Sequence, residues 1–261
     1  MELLDQLNRK ISIDKTPVRI VSLVPSQTEL LVDLGLEHKI VGVTNFCVHP
    51  STIRKDKVVV GGTKSLHYDR IKELNPDIIL CNKEENTQEI VEVLSKEYTL
   101  HISDVNSMAD NYEMIQQYGK LFGVEERASE ICKNIQSEVA QFEEFISDKP
   151  TLKVAYFIWR KPWMVVGENT FINHLIELNK FENVYSSQSR YPEVELESLK
   201  SADFYLLSSE PFPFKEIHKI EIQEVVENAK FCFVDGEYFS WYGSRMQKAF
   251  QYFRELREEM Q

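Results

Sequence analysis

The feature that most restricts how this chain can fold is a stretch near its middle with no strand in it. From residue 107 to residue 148 there is no β-branched run and there are only two glycines, Gly119 within a helical pattern and Gly123 at its end. That pattern covers residues 108–122 and stops at Gly123. From Glu125 onward Ala128, Ile131, Cys132, Ile135, Val139, Phe142 and Ile146 recur at spacings of three and four, one continuous apolar stripe. A helix over 125–146 rises 1.5 Å per residue and is therefore about 33 Å long, enough to bridge the width of a small domain. It ends at S-D-K-P, residues 147–150.

On both sides of this stretch strand and helix signals alternate. Before it, strands are expected at residues 19–24, 40–43, 57–60, 77–81 and 99–103. Helices are expected after Pro25, over 68–74 and over 87–96. After it, strands fall at 153–158, 163–166, 204–207 and 230–234, and helices at 170–178, 217–226 and 244–256. Such alternation implies βα units and mainly parallel sheets. The expected fold is α/β: two α/β lobes joined by one long backbone helix. The parts are an N-terminal lobe over 1–122, the helix over 124–148 and a C-terminal lobe over 150–261. With no Gly/Ser linker between the lobes, a stiff helix would hold their separation nearly fixed.

Composition excludes several function classes. Forty-two acidic against thirty basic side chains give a net charge of −12, without the basic footprint a phosphate-backbone binder needs. Nucleic acid is not expected as a partner. No apolar run reaches the roughly 18 residues of a membrane span. The opening M-E-L-L-D-Q lacks the basic start of an export signal. The chain as it stands is expected in the cytoplasm, and in the periplasm or at the surface only if an export segment is missing. Cys47, Cys81, Cys132 and Cys232 form no CxxC pair and read as neither a disulfide framework nor a zinc knuckle.

Three groups of residues can carry chemistry. Ser26 followed three residues later by Glu29 has capping-box spacing, directly after a strand, and would leave a helix N-terminus at the carboxyl edge of a sheet. Its plain reading is a helix start. G-G-T-K-S from Gly61 ends like a phosphate loop but lacks the earlier glycine. Cys47 and His49, with His67 in a later loop, are metal-ligand types at poor metal-site spacing. The plain reading packs Cys47 and lets His49 line a cleft.

The third group is aromatic. Trp159, Trp163, Tyr191, Phe212, Phe214, Tyr238, Phe239, Trp241 and Tyr242 nearly all fall outside periodic segments, among polar and proline neighbours. Rimmed by Arg160, Arg190 and Arg245, they would suit a large planar ligand bearing carboxylates or phosphates. No G-x-S-x-G, H-E-x-x-H or Gly-rich dinucleotide fingerprint is present. Glu84 and Glu85 at a strand end are the nearest thing to an acid–base pair, and such clusters are more often solvated loops.

Several blocks resemble the helical-backbone class of ABC-transporter substrate-binding proteins, in particular the cobalamin and iron–siderophore group. They are R-I-V-S-L-V-P-S-Q-T-E-L-L from Arg19, V-G-G-T from Val60, R-I-K-E-L-N-P-D-I-I-L from Arg70, R-K-P-W-M-V-V-G-E-N-T-F from Arg160, and R-Y-P-E-V-E-L from Arg190. The resemblance covers about residues 17–256. It implies a non-enzymatic binding protein, monomeric and without an intrinsic cofactor. The ligand, a cobalamin-like corrinoid or an iron chelate such as a siderophore complex or haem, would lie in a cleft between the lobes. It places Phe46 and His49 on one side of the ligand. Trp159, Arg160, Trp163, Arg190, Tyr191, Phe239, Trp241 and Arg245 would line the other. It also implies docking on an ABC permease through Asp69 and Glu197. Cobalamin binders of the family tend to carry tryptophan where Thr63 and Cys81 stand, so the stacking side is less aromatic here. Two alternatives remain: direct binding of a transition metal by Cys47, His49 and His67, and an enzyme acting on a tetrapyrrole or chelate.

Overall fold

A computed structural model describes residues 1–226 and 229–260; residue 261, the last of the expected C-terminal lobe, and residues 227 and 228 lie outside the described residues. The chain divides into two compact units. The first lobe is Met1–Gln136 with Tyr242–Gln247, and the second is Ser137–Trp241 with Lys248–Gln261.

The first lobe opens with an antiparallel hairpin, β1 (Glu2–Leu4) and β2 (Lys10–Ser12). The alternating pattern of the sequence does not single it out. Then follow β3 (Ile20–Ser22), α1 (Pro25–Asp33), β4 (Ile40–Val43), α2 (Ile53–Asp56), β5 (Val58–Val59), α3 (Tyr68–Leu74), β6 (Ile78–Asn82), α4 (Gln88–Leu94) and β7 (Leu100–Ser103). The five strands β3 to β7 form one parallel sheet in the order β5-β4-β3-β6-β7. β6 and β7 are buried along their whole length, as strands covered on both faces must be. Val21, Leu23, Ile79, Ile90 and Ile102 pack in the core beside the sheet.

Local chemistry starts and stops the helices. Thr87 caps α4 by accepting the Ile90 N–H. Ser107 caps α5 (Met108–Phe122) by accepting the Asp110 N–H, and Gly123 ends it in the left-handed region at φ 70°. α6 (Glu125–Ile146) follows at once and contains the boundary between the two units. Ala128, Ile131, Cys132, Ile135, Phe142 and Ile146 of its stripe are buried, and Val139 half so.

The second lobe holds β8 (Leu152–Trp159), β9 (Met164–Val165), α7 (Phe171–Leu178), β10 (Phe181–Asn183), β11 (Phe204–Ser208), α8 (Glu216–Gln223), β12 (Lys230–Val234), α9 (Gly236–Ser240) and α10 (Met246–Glu259). Its sheet runs β10-β8-β11-β12, all parallel, with β9 antiparallel on β8. The expected two α/β lobes with mainly parallel sheets and a long helix are therefore the architecture found.

Three differences matter for the site. Ser26 is not a helix cap: Val24 holds that position without a side-chain bond, and Pro25 pre-sets the first turn. Residues 236–240, read as loop, form α9 because Asp235 caps it through the Glu237 N–H. Residues 242–247, expected with the second lobe, group with the first, where Gly243 N–H donates to Asn111 Oδ1 at 2.6 Å.

Candidate functional site

Open parallel sheets bind ligands at the carboxyl ends of their strands, where the strand order reverses. In the first sheet that point lies between β3 and β6. The chain's own side chains fill it. Gln27 Nε2 donates to Ser103 Oγ at 2.6 Å and to the Tyr242 hydroxyl at 3.1 Å, and the Tyr118 hydroxyl donates to Gln27 Oε1 at 2.8 Å. Burial above all holds the Tyr118 and Tyr242 hydroxyls well above the ordinary tyrosine value, so both stay protonated donors. Alongside, Arg245 binds Glu29 through Nε and Nη2 at 2.8 and 3.1 Å.

The open part of the first lobe's carboxyl edge is made by the loops after β4, β5 and β6. Phe46 is 54% exposed, and a Cβ on Gly62 would come within 3.3 Å of its ring. Gly61 turns that loop at φ 123°, where a side chain would strike the Ser65 carbonyl. Two asparagines build the turn after β6. Asn82 Oδ1 accepts the Glu84 and Glu85 N–H groups, while Asn86 accepts Asn82 N–H and donates to the Thr63 carbonyl at 2.8 Å. Burial and the neighbouring Glu84 push the Glu85 carboxyl up, against Lys64 and the Thr63 hydroxyl, which hold it down.

In the second sheet the reversal lies between β8 and β11. Trp159 ends β8 there, 39% exposed, with its ring edge-on to Phe212 at 5.8 Å. Phe212 meets Phe214 at 4.9 Å, and Trp163 stacks on Phe214 at 6.0 Å. Arg160 lies 5.7 Å from the Trp163 ring and is fixed by two 2.8 Å hydrogen bonds to Glu221. His218 closes the cluster against Phe212 and accepts the Lys215 N–H on Nδ1 at 3.0 Å. Desolvation first, then Arg160 and Lys215, lower its pKa despite Glu221. The result is an aromatic wall whose exposed ring is the Trp159 indole.

Other sequence candidates take different roles. Phe239 has no exposed surface and packs between Tyr156 and Phe253 at 5.2 and 4.9 Å, a core residue. Trp241 and Arg245 are 8% and 7% exposed, so neither is an open rim residue. Arg245 serves Glu29 instead of a ligand carboxylate. Arg190 is exposed with its guanidinium 5.9 Å from the Tyr191 ring. His49 is half-buried, while His67, Asp69 and Glu197 are exposed.

Cys47 is fully buried, its sulfur 3.1 and 3.3 Å from the Thr28 and Thr44 hydroxyls, and burial pushes the thiol pKa up. Cys47, His49 and His67 are not gathered: among the described residues no three His, Cys, Asp or Glu side chains are placed to hold a metal ion. Cys81, one of the two positions compared with stacking tryptophans, points into the sheet core with no exposure. Sequence reasoning listed Phe212 among the aromatics without placing it at the site; the E-P-F-P-F run after a strand end was the available signal.

Two α/β lobes with parallel sheets and a long helix, exposing aromatics at sheet edges, are the architecture of a ligand-binding α/β protein. Residues 20–207 match the periplasmic binding protein family, and the chain belongs to that family. It is a family of binding proteins, which sets aside Glu84 and Glu85 as acid–base catalysts. An ABC transporter substrate-binding lipoprotein of Bacillus subtilis is 27% identical over 203 residues, 75% of this chain and 64% of that one. A cobalamin-binding protein of Halobacterium salinarum is 25% identical over 204 residues, 76% of this chain and 55% of its own length. The chain thus spans less than two thirds of the length of either relative. A periplasmic haem-binding protein from Roseiflexus shares the fold with a TM-score of 0.80 at 19% identity, over 93% of this chain and 98% of that one.

Proposed function

We propose that the chain is the substrate-binding component of an ABC transporter and that its cargo is a large metal chelate, a corrinoid or a ferric chelate such as haem or a siderophore complex. The observation that carries this reading is the exposed Trp159 ring backed by Phe212 at the reversal point of the second sheet. A planar ligand laid on that indole gains aromatic contact of about 0.5–1.5 kcal/mol beyond the apolar area it buries. The relatives that bind cobalamin and haem support the ligand class. Arg190 and Tyr191, of the same lobe as Trp159, are proposed as further contacts. The exposed acids Asp69 and Glu197 are proposed as the permease-docking residues, one on each lobe.

The test is a titration of tryptophan fluorescence with cyanocobalamin, haemin and a ferric hydroxamate. Trp159 is the most open of the three indoles, so saturable quenching by one of the ligands is expected, and it is lost in Trp159→Ala. No saturable response to any of the three overturns the reading.

A further inference from the structure

An unpaired sheet edge is a row of free backbone donors and acceptors, and proteins usually cover such edges or keep them short. Among the described residues, three of the four edges of the two five-stranded sheets follow that rule. At β7 the Asp5 carboxylate accepts the Ile102 N–H at 3.3 Å, and Gln6 Oε1 accepts the Asp104 N–H at 3.1 Å. β5 has two residues and β10 three. β12 has five, pairs only with β11, and leaves Phe233 42% exposed. Its outward groups follow from the register. Val234 lies opposite Ser208 and its carbonyl accepts the Ser209 N–H at 2.9 Å, so Val234 faces β11. Facing residues alternate along a parallel strand. Lys230 and Cys232 therefore turn their backbone groups to β11 as well, and Phe231 and Phe233 turn theirs outward. Among the described residues the one contact on those outward groups is the weak Cys232 thiol donor, 3.7 Å from the Phe233 carbonyl.

We infer that the outer edge of β12 docks a second copy of this chain, antiparallel, about a two-fold axis through Cys232. Phe231 and Phe233 stand symmetrically about Cys232, so the edge is its own complement. In that register the backbone N–H and C=O of Phe231 exchange two hydrogen bonds with Phe233 of the second copy, and the reverse pair makes two more. The Phe231 and Phe233 side chains share one face of the strand and meet across the axis as two aromatic cross-strand pairs. Charge agrees: the exposed Lys230 at the start of one strand comes to the end of the other, where Asp235 follows Val234. An extended segment of unrelated sequence could take the four hydrogen bonds but has neither the aromatic nor the charge match. A five-residue edge buries less than the roughly 1,200 Å² of a stable interface, so the pair forms with rising concentration. The inference is independent of the proposed cargo.

Sedimentation velocity of the whole chain in about 0.15 M salt tests this. Between about 1 and about 200 μM protein, the weight-average mass should climb from 30.6 kDa toward twice that value. Phe233→Lys places a charge at an exposed edge position and should weaken association about tenfold or more, with the melting temperature unchanged. Cys232 reports the register, because opposite residues of a non-hydrogen-bonded antiparallel pair lie about 4.5 Å apart at Cα, within disulfide reach. Copper(II) phenanthroline takes up two electrons as the two Cys232 thiols lose their protons and form the S–S bond. A covalent dimer is expected, and none in Cys232→Ser. A mass of 30.6 kDa at every concentration overturns the proposal and leaves the edge to some other extended segment. A dimer that Phe233→Lys leaves intact, or that oxidation links through a different cysteine, overturns it equally.

Discussion

Arg245 and Glu29 stand 216 residues apart in the chain and meet inside the first lobe through two hydrogen bonds of 2.8 and 3.1 Å. Both side chains are largely withdrawn from water, 7% and 12% exposed. Removing one partner leaves a buried charge without compensation, which costs about 3–5 kcal/mol. Arg245→Ala and Glu29→Ala should each lose that much in urea unfolding. The apolar pair Glu29→Leu with Arg245→Met should recover most of it. A loss below about 1 kcal/mol in either single variant would show that the pair is not a closure of this lobe.

Trp159 and Phe239 make opposite predictions although both were read as ligand aromatics. Trp159→Ala removes a half-open ring and should weaken ligand binding at least tenfold with a stability change of about 1 kcal/mol or less. Phe239→Ala empties a core position and should cost about 3–5 kcal/mol, with affinity unchanged in the folded fraction. Calorimetric melting combined with fluorescence titration separates the two.

His101 is fully buried, bonded to Gln117 Oε1 at 2.7 Å and edge-on to Tyr118. Burial lowers its pKa from 6.5, despite the opposing effects of Gln117 and Asp5. The unfolded chain therefore takes up the proton first, so the stability held above pH 6.5 is lost as pH falls below that value toward the folded one. His218, lowered as well, acts in the same direction. Unfolding free energies measured from pH 8 down to pH 5 should decline below about 6.5, and less steeply in His101→Asn. Parallel curves for the two proteins would remove His101 as a source of the slope.

The four cysteines should be poor nucleophiles in the native state. Cys47, Cys81 and Cys132 are buried, and desolvation pushes Cys81 up to about 12 and Cys132 and Cys232 up to about 11. With a disulfide reagent at pH 8, only Cys232 should react, and slowly; all four should react in urea. Fast labelling of Cys47 in the folded protein would contradict its place between Thr28 and Thr44.

Much of the frame was written in local pattern. The apolar stripe from Ala128 to Ile146 lies on one helix, Glu125–Ile146, and the runs at Ile40–Val43, Tyr68–Leu74 and Lys230–Val234 form the elements their periodicity implies. Those patterns are legible because helix and strand are chosen by interactions a few residues apart. Three strands were not: β1, β2 and β10, of three residues each, lie outside the apolar runs from which the other strands were read.

For the site, sequence determined which residue types were available: loop aromatics after β8 and β11, acids after β6, and a cysteine beside His49. Tertiary structure decided which of them face solvent. Asp235 starts α9 and turns Phe239 inward, Thr28 and Thr44 take the Cys47 sulfur into the core, and Glu29 claims Arg245 from the far end of the chain. Burial and pairing depend on contacts that reach as far as the 216 positions between Glu29 and Arg245, and the spacing of a motif carries no record of them.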